Sequence, residues 1–171
     1  MREHAADPPI EETLGDALRD AGHTIATAES CTGGLVGSLL TDVPGSSDYF
    51  DRSLVTYTYD AKLDCGVSRE ALDEHGAVSE PVAREMARAA RDRAGTTWGV
   101  ATTGIAGPSG GTEEKPVGTV FIGVAHAGDW GTGESYATVE RREFDGDRLA
   151  VKEQIARGAL RAAASELETV R

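Results

Sequence analysis

The 171-residue chain reads as an α/β protein, a three-layer α/β/α sandwich with a mixed, mostly parallel central sheet. Two observations predict this. Stretches with apolar residues at helical spacing alternate with short β-branched runs along much of the chain, the pattern of strands covered by helices on both faces. Near residues 117–144 two strand-like stretches follow one another with no helix between them; they pair as a hairpin, which makes the sheet mixed.

Residues 1–8 form a short loose tail, and 9–171 a single domain without repeat, low-complexity tract or linker. Ile10, Leu14, Ala17, Leu18 and Ala21 fall on one helical face that Gly22 ends. His23 to Glu29 is a short buried strand, and the turn Ser30-Cys31-Thr32-Gly33-Gly34 leads into a helix carrying Leu35, Val36, Leu39, Leu40 and Val43. Pro44 to Ser47 is a loop, Ser53 to Tyr59 a strand, and 60–75 a set of short helical pieces. Ser79 is placed to cap a helix with Pro81 in its first turn and Val82, Met86, Ala89 and Ala90 on its buried face. Trp98–Thr103 and Val117–Ala125 are core strands, and Glu134–Phe144 is a more polar edge strand. Asp147 caps a last helix in which Ala156, Leu160, Ala163, Leu167 and Val170 recur at helical spacing.

Composition narrows the function classes. With 39% hydrophobic and 27% charged residues the chain is globular, and its length suffices for a core without disulfides. It has no apolar run of 18 residues and a polar N-terminal stretch, so neither a membrane span nor a signal peptide is expected and a cytoplasmic location is. Cys31 and Cys65 form no zinc pattern, and His4, His23, His75 and His126 lack metal spacing and read as surface or loop residues; no metal or cofactor is expected. The 17 Lys+Arg against 29 Asp+Glu give a net charge of −12, which argues against a nucleic-acid partner. Lys62, Lys115 and Lys152 are the only lysines, the acid-rich, lysine-poor balance expected of a high-salt cytoplasm, and that scarcity raises the weight of each.

Three stretches carry chemistry. In Thr27–Gly34 a hydroxyl follows a strand and precedes a helix, so that main-chain N–H groups near Ser30, Thr32, Gly33 and Gly34 suit an oxyanion or a bound anion; the bland alternative is that Ser30 or Thr32 caps the helix. In Val55–Lys62, Tyr57 and Lys62 point to one crevice. A lysine base there must lose about 3 pKa units, roughly 4 kcal/mol, through desolvation or positive potential, with the tyrosine relaying a proton or orienting it; a core tyrosine and a solvated lysine are the bland alternative. In Thr102–Gly111, glycines allow close backbone approach and an anion nest, and the stretch matches neither a P-loop nor a dinucleotide fingerprint. Cys31 reads as a small buried side chain, and Arg148, in the first turn of the last helix, as a guanidinium within reach of a ligand anion.

TAESCTGG at 27–34, PGSS at 44–47, VTYTYDAK at 55–62, HGAVSEPVAREMA at 75–87, TGIAGPSGG at 103–111 and KPVGTV at 115–120 occur in order. Together they resemble the CinA C-terminal domain family of nicotinamide-nucleotide amidases, over nearly the whole chain from about residue 10 to 165. The resemblance implies an α/β/α sandwich, a stand-alone homo-oligomer, and hydrolysis of the carboxamide of nicotinamide mononucleotide without a cofactor. It also implies Ser30, Tyr57 and Lys62 as catalytic residues. Thr32, Gly33, Gly34, Ser46, Thr103, Gly104, Ala106, Gly107, Gly110, Gly111 and Arg148 are the candidates for holding the oxyanion and the substrate. The chain departs from the family pattern at Arg52-Ser53, where glycines are common, and at Tyr59, where asparagine is common; both changes are expected to act on the pocket. Trp98 and the 134–144 strand are the candidate interface residues.

Two other readings compete. A short-chain dehydrogenase needs three residues between tyrosine and lysine and a glycine-rich first turn, and this chain has neither. A non-catalytic module that binds a nucleotide and regulates a partner uses the same loops but has no need of a base.

Overall fold

The computed structural model describes residues 3–170; residues 1 and 2 of the expected tail lie outside them. Five strands, β1 (Ile25–Glu29), β2 (Phe50–Val55), β3 (Trp98–Gly104), β4 (Thr119–His126) and β5 (Tyr136–Glu143), form one sheet in the order β2-β1-β3-β4-β5. β2, β1 and β3 are parallel, β4 runs against β3 and β5 against β4, so β4 alone opposes the common direction. The expected sandwich with its C-terminal hairpin is therefore the observed one.

Side chains alternate across this sheet, as strand geometry requires. Ile25, Trp98, Val100, Ile122 and Val124 face one core with α1 (Ile10–Ala21), α2 (Leu35–Thr41) and α6 (Arg148–Thr169). Ala26, Ala28, Ala101 and Ala125 face the other, with α3 (Tyr59–Cys65), α4 (Arg69–His75) and α5 (Glu80–Ala94). The small residues on this second face let α5 lie close to the sheet. A Cβ on Gly99 would stand 2.1 Å from the Ala87 carbonyl oxygen and one on Gly123 2.6 Å from that of Ala83, so only glycine fits under the helix.

Several expected boundaries shift for local reasons. The strand expected over 53–59 runs instead over Phe50–Val55. Its β-branched continuation is overridden because the Thr58 hydroxyl accepts from Ala61 N and starts α3 at Tyr59. Ser79 stands at the head of α5 but makes no cap: its hydroxyl donates to the Gly76 carbonyl at 2.8 Å. Asp147 does cap α6, accepting from Ala150 N at 2.9 Å, and Val170 falls just past that helix, partly exposed. His126 is not a loop residue; it ends β4 with its ring 4.5 Å from that of Trp98. Trp98 is 1% exposed and donates to His23 Nδ1, so it belongs to the core and cannot form an interface. The strand at 136–143 lies at the sheet edge, as expected. Among the described residues no helix is long and apolar enough to cross a membrane.

One charged cluster ties α1 to α6. Arg157, fully buried, donates to Glu11 Oε2 at 2.5 Å and to Glu153 Oε1 at 3.0 Å, and His4 N reaches the same Glu153 oxygen at 3.3 Å. Removing the guanidinium leaves two buried carboxylates facing each other without a cation. Arg157→Ala should lower the unfolding free energy by about 3–5 kcal/mol in a denaturant titration, the cost of breaking a buried pair.

Candidate functional site

Parallel strands bring their carboxyl ends to one edge, and the site is built there. Ser30 follows β1 directly, and its N–H donates to the Thr102 carbonyl of β3 at 2.9 Å. Thr56, just after β2, donates its N–H to the Glu29 carbonyl at 2.8 Å, which draws the start of α3 beside the same turn. One turn into α3, Lys62 points back inward and is 1% exposed. Its Nζ lies 2.9 Å from Ser30 Oγ, 2.7 Å from the Thr56 carbonyl oxygen and 3.4 Å from that of Tyr57. Among the described residues no carboxylate pairs with it. Burial therefore lowers the Lys62 pKa from the ordinary lysine range, opposed only by the weaker pull of Cys31 and Cys65.

Ser30 and Lys62 form one wall of an open pocket of about 280 Å³. Thr103 and Gly104 line it from the end of β3 and Ala106, Gly107 and Gly110 from the loop after it, as expected, and Tyr57 and Arg148 line it too. Ile105 and Ser109, within the expected Thr103–Gly111 loop, also line it, as do Cys31, Ala77 and Val78, which were not expected as binding residues. No acidic side chain does, although the chain as a whole carries a charge of −12. Cys31 is buried, which pushes its thiol pKa up to about 12, so it is an unreactive neighbour, as its small-side-chain reading expects.

Other expected residues are not brought to the pocket. Thr32, Gly33 and Gly34 do not line it, and the two glycine N–H groups and the Thr32 hydroxyl have partners. Gly33 N donates to the Ser30 carbonyl, Gly34 N to Glu29 Oε1, and Thr32 Oγ1 to the same Glu29 oxygen. Gly111 packs against the Pro116-Val117 backbone, where a Cβ would stand 2.6 Å from Val117 N. Ser46 precedes β2, whose first residue pairs with Ile25; it therefore sits at the opposite end of β1 from Ser30, roughly 16 Å of strand away. The Tyr57 phenol, 57% exposed, does not reach Lys62. It accepts from Arg148 Nη2 at 3.2 Å, while Arg148 Nη1 donates to the Gly107 carbonyl at 2.5 Å. Of the two departures from the family pattern, Ser53 donates to Glu29 Oε2 and Tyr59 OH accepts from Ala77 N; neither side chain lines the pocket. Among the described residues no cluster of His, Cys, Asp or Glu is arranged to hold a metal ion.

Glu29 is the residue that sequence reasoning passed over. It is fully buried and accepts six hydrogen bonds within one turn of Ser30. The available signal was a lone carboxylate closing the strand IATAE, whose other members are all apolar or threonine.

The fold is an α/β/α sandwich with Ser30 beside the buried Lys62 at the carboxyl edge of its parallel strands. The chain belongs to the CinA C-terminal domain family, whose model matches residues 7–167. It is 50% identical over 153 residues to the nicotinamide-nucleotide amidohydrolase PncC of Escherichia coli K12, covering 88% of each chain. It is 52% identical over 155 residues to a CinA-like protein of Salinibacter ruber, covering 90% of this chain and 36% of that one. The chain thus spans little more than a third of the CinA-like relatives of this length. The crystal structure of the competence/damage inducible protein CihA from Agrobacterium tumefaciens superposes with a TM-score of 0.85 at 38% identity, covering 93% of both chains.

The depressed Lys62 pKa has a thermodynamic consequence. The unfolded chain holds the Lys62 proton up to pH 10.5 while the folded chain releases it earlier, so folding is penalised below the folded pKa and the penalty fades as pH rises toward 10.5. Measured against Lys62→Met across that window, the unfolding free energy of the wild type should gain steadily with pH; a constant difference would mean that the amine titrates normally.

Proposed function

We propose that the chain hydrolyses the carboxamide of nicotinamide mononucleotide to nicotinate mononucleotide and ammonia, with Ser30 as nucleophile and Lys62 as its base. The observation that carries this reading is the 2.9 Å contact between Lys62 Nζ and Ser30 Oγ in a buried corner without a carboxylate. The activity printed for the E. coli relative, matched over most of both chains, supports the substrate. So does a pocket that holds Lys62 and Arg148 and no acid, which suits a phosphate-bearing ligand.

The neutral amine keeps two N–H bonds, and the Thr56 and Tyr57 carbonyls are placed to accept them, which leaves the nitrogen lone pair facing Ser30. Ser30 transfers its proton to Nζ as Oγ bonds to the amide carbon. The carbon–nitrogen bond then breaks as Nζ returns that proton to the leaving nitrogen, and ammonia departs. Water, relieved of a proton by the same amine, cleaves the seryl ester to carboxylate and free Ser30. With Gly33 and Gly34 engaged elsewhere, the N–H groups of Cys31 and Thr32, which donate to no other residue among the described residues, are the ones left to hold the oxyanion. Arg148, steadied by the Tyr57 phenol and the Gly107 carbonyl, binds the phosphate. Tyr57 accordingly orients the guanidinium rather than relaying a proton.

Ammonia release from nicotinamide mononucleotide at high salt tests the reading directly; binding without release would favour a nucleotide-binding module. Ser30→Ala and Lys62→Ala should each lose about 10³-fold or more in kcat while remaining folded. Lys62→Arg should not rescue, because a guanidinium does not give up its proton. In the wild type kcat/KM should rise with pH through the lowered Lys62 pKa, since the neutral amine is the active form. Arg148→Ala should raise KM by roughly 10–100-fold, the worth of a charged hydrogen bond to phosphate, and leave kcat within a few-fold.

A further inference from the structure

The main-chain N–H groups at the head of α2 are the natural seat of an anion, and in this protein that seat is already filled. Glu29 Oε1 accepts from Gly34 N at 3.1 Å, Val36 N at 2.9 Å and Thr32 Oγ1 at 2.7 Å. Oε2 accepts from Gly37 N at 3.0 Å, Ser53 Oγ at 2.7 Å and Thr27 Oγ1 at 3.3 Å. Neither lysine nor arginine pairs with it among the described residues. α2 has no side-chain cap and no acid in its first turn, so Glu29 supplies both from the preceding strand. Two glycines make the arrangement fit. Gly34 adopts φ +101°, which turns its N–H back onto the carboxylate, and a Cβ on Gly37 would stand 2.8 Å from Ser53 Cβ and push β2 away.

We infer that Glu29 is a positioning residue for the nucleophile: its carboxylate closes the turn 30–34 and thereby sets the distance from Ser30 Oγ to Lys62 Nζ. The inference rests on the Ser30–Lys62 reading above. Among the described residues the polar contacts of Ser30 itself are the Thr102 carbonyl, the Gly33 N–H and Lys62. The donors on Glu29 come from β1, β2, the turn and α2, so the carboxylate locks four segments around one oxygen pair. It does not line the pocket, which separates its effect from substrate binding.

Glu29→Gln keeps the shape but turns one acceptor into an NH₂ group facing donors. The readout is covalent labelling of Ser30 by a small fluorophosphonate, followed by mass spectrometry across pH, which needs no knowledge of the substrate. The wild type should label at Ser30 with a rate that rises through the Lys62 titration to a plateau. Glu29→Gln should lower that plateau about 10²-fold, the cost of a misplacement on the ångström scale, while the pH midpoint stays where it was. A merely structural role predicts a lower melting temperature with the plateau of the folded fraction unchanged, and that result would overturn the inference. If Glu29→Gln does not fold, Thr32→Val and Ser53→Ala each remove one 2.7 Å donor and should lower the plateau roughly tenfold. An unchanged plateau in both refutes the role equally. A wild type that does not label at Ser30 at all would instead refute the nucleophile, and the positioning role with it.

Discussion

The site depends on the register of β1 at its last two residues. Strand side chains alternate, so Ile25, Thr27 and Glu29 face α2 and its core while Ala26 and Ala28 face the layer of α3 and α5. Where the strand ends, Glu29 is delivered beneath the helix and Ser30 to the side from which Lys62 arrives. A slip of one residue would put either Ser30 under the helix or Glu29 against the amine, according to its direction. β1 is hydrogen-bonded on both sides, to β2 and β3, and buried along its whole length, which is what prevents such a slip.

Three buried ionisable groups in the chain show three different solutions to desolvation. Arg157 is met by two carboxylates and serves to join helices. Glu29 is met by neutral hydroxyl and amide donors and serves to close a turn. Lys62 is met by carbonyls and a hydroxyl alone, with no opposite charge, and its proton becomes easy to remove. The first two arrangements hold structure; the third is the one that opens onto a pocket.

Although the chain carries a net charge of −12, no acidic side chain lines the pocket among the described residues. The lining offers Arg148, hydroxyls, the glycine-rich loop after β3 and the Lys62 amine, whose burial disfavours its charged form.

Much of the fold was legible in the chain because it is written in local patterns: helical spacing in α1 and α6, β-branched runs in β3 and β4, and the Asp147 cap. Ser30 and Lys62 stood out as residue types, a hydroxyl after a strand and a scarce lysine, and the structure brings them within 2.9 Å of each other. Boundaries failed where capping overrode propensity, as at Thr58 and the end of β2. Some candidate binding residues lie outside the pocket lining, with partners from elsewhere in the chain. Gly33 and Gly34 looked free until Glu29 and the Ser30 carbonyl were seen to take their N–H groups, and Ser46 looked near until the parallel pairing of β1 and β2 put it at the far end. The sequence by itself determined which elements form and which side chains could react, since both follow from neighbours along the chain. Only the tertiary structure decided which hydrogen-bonding groups remain unspent and which amine is dry, because those depend on partners brought together from distant strands.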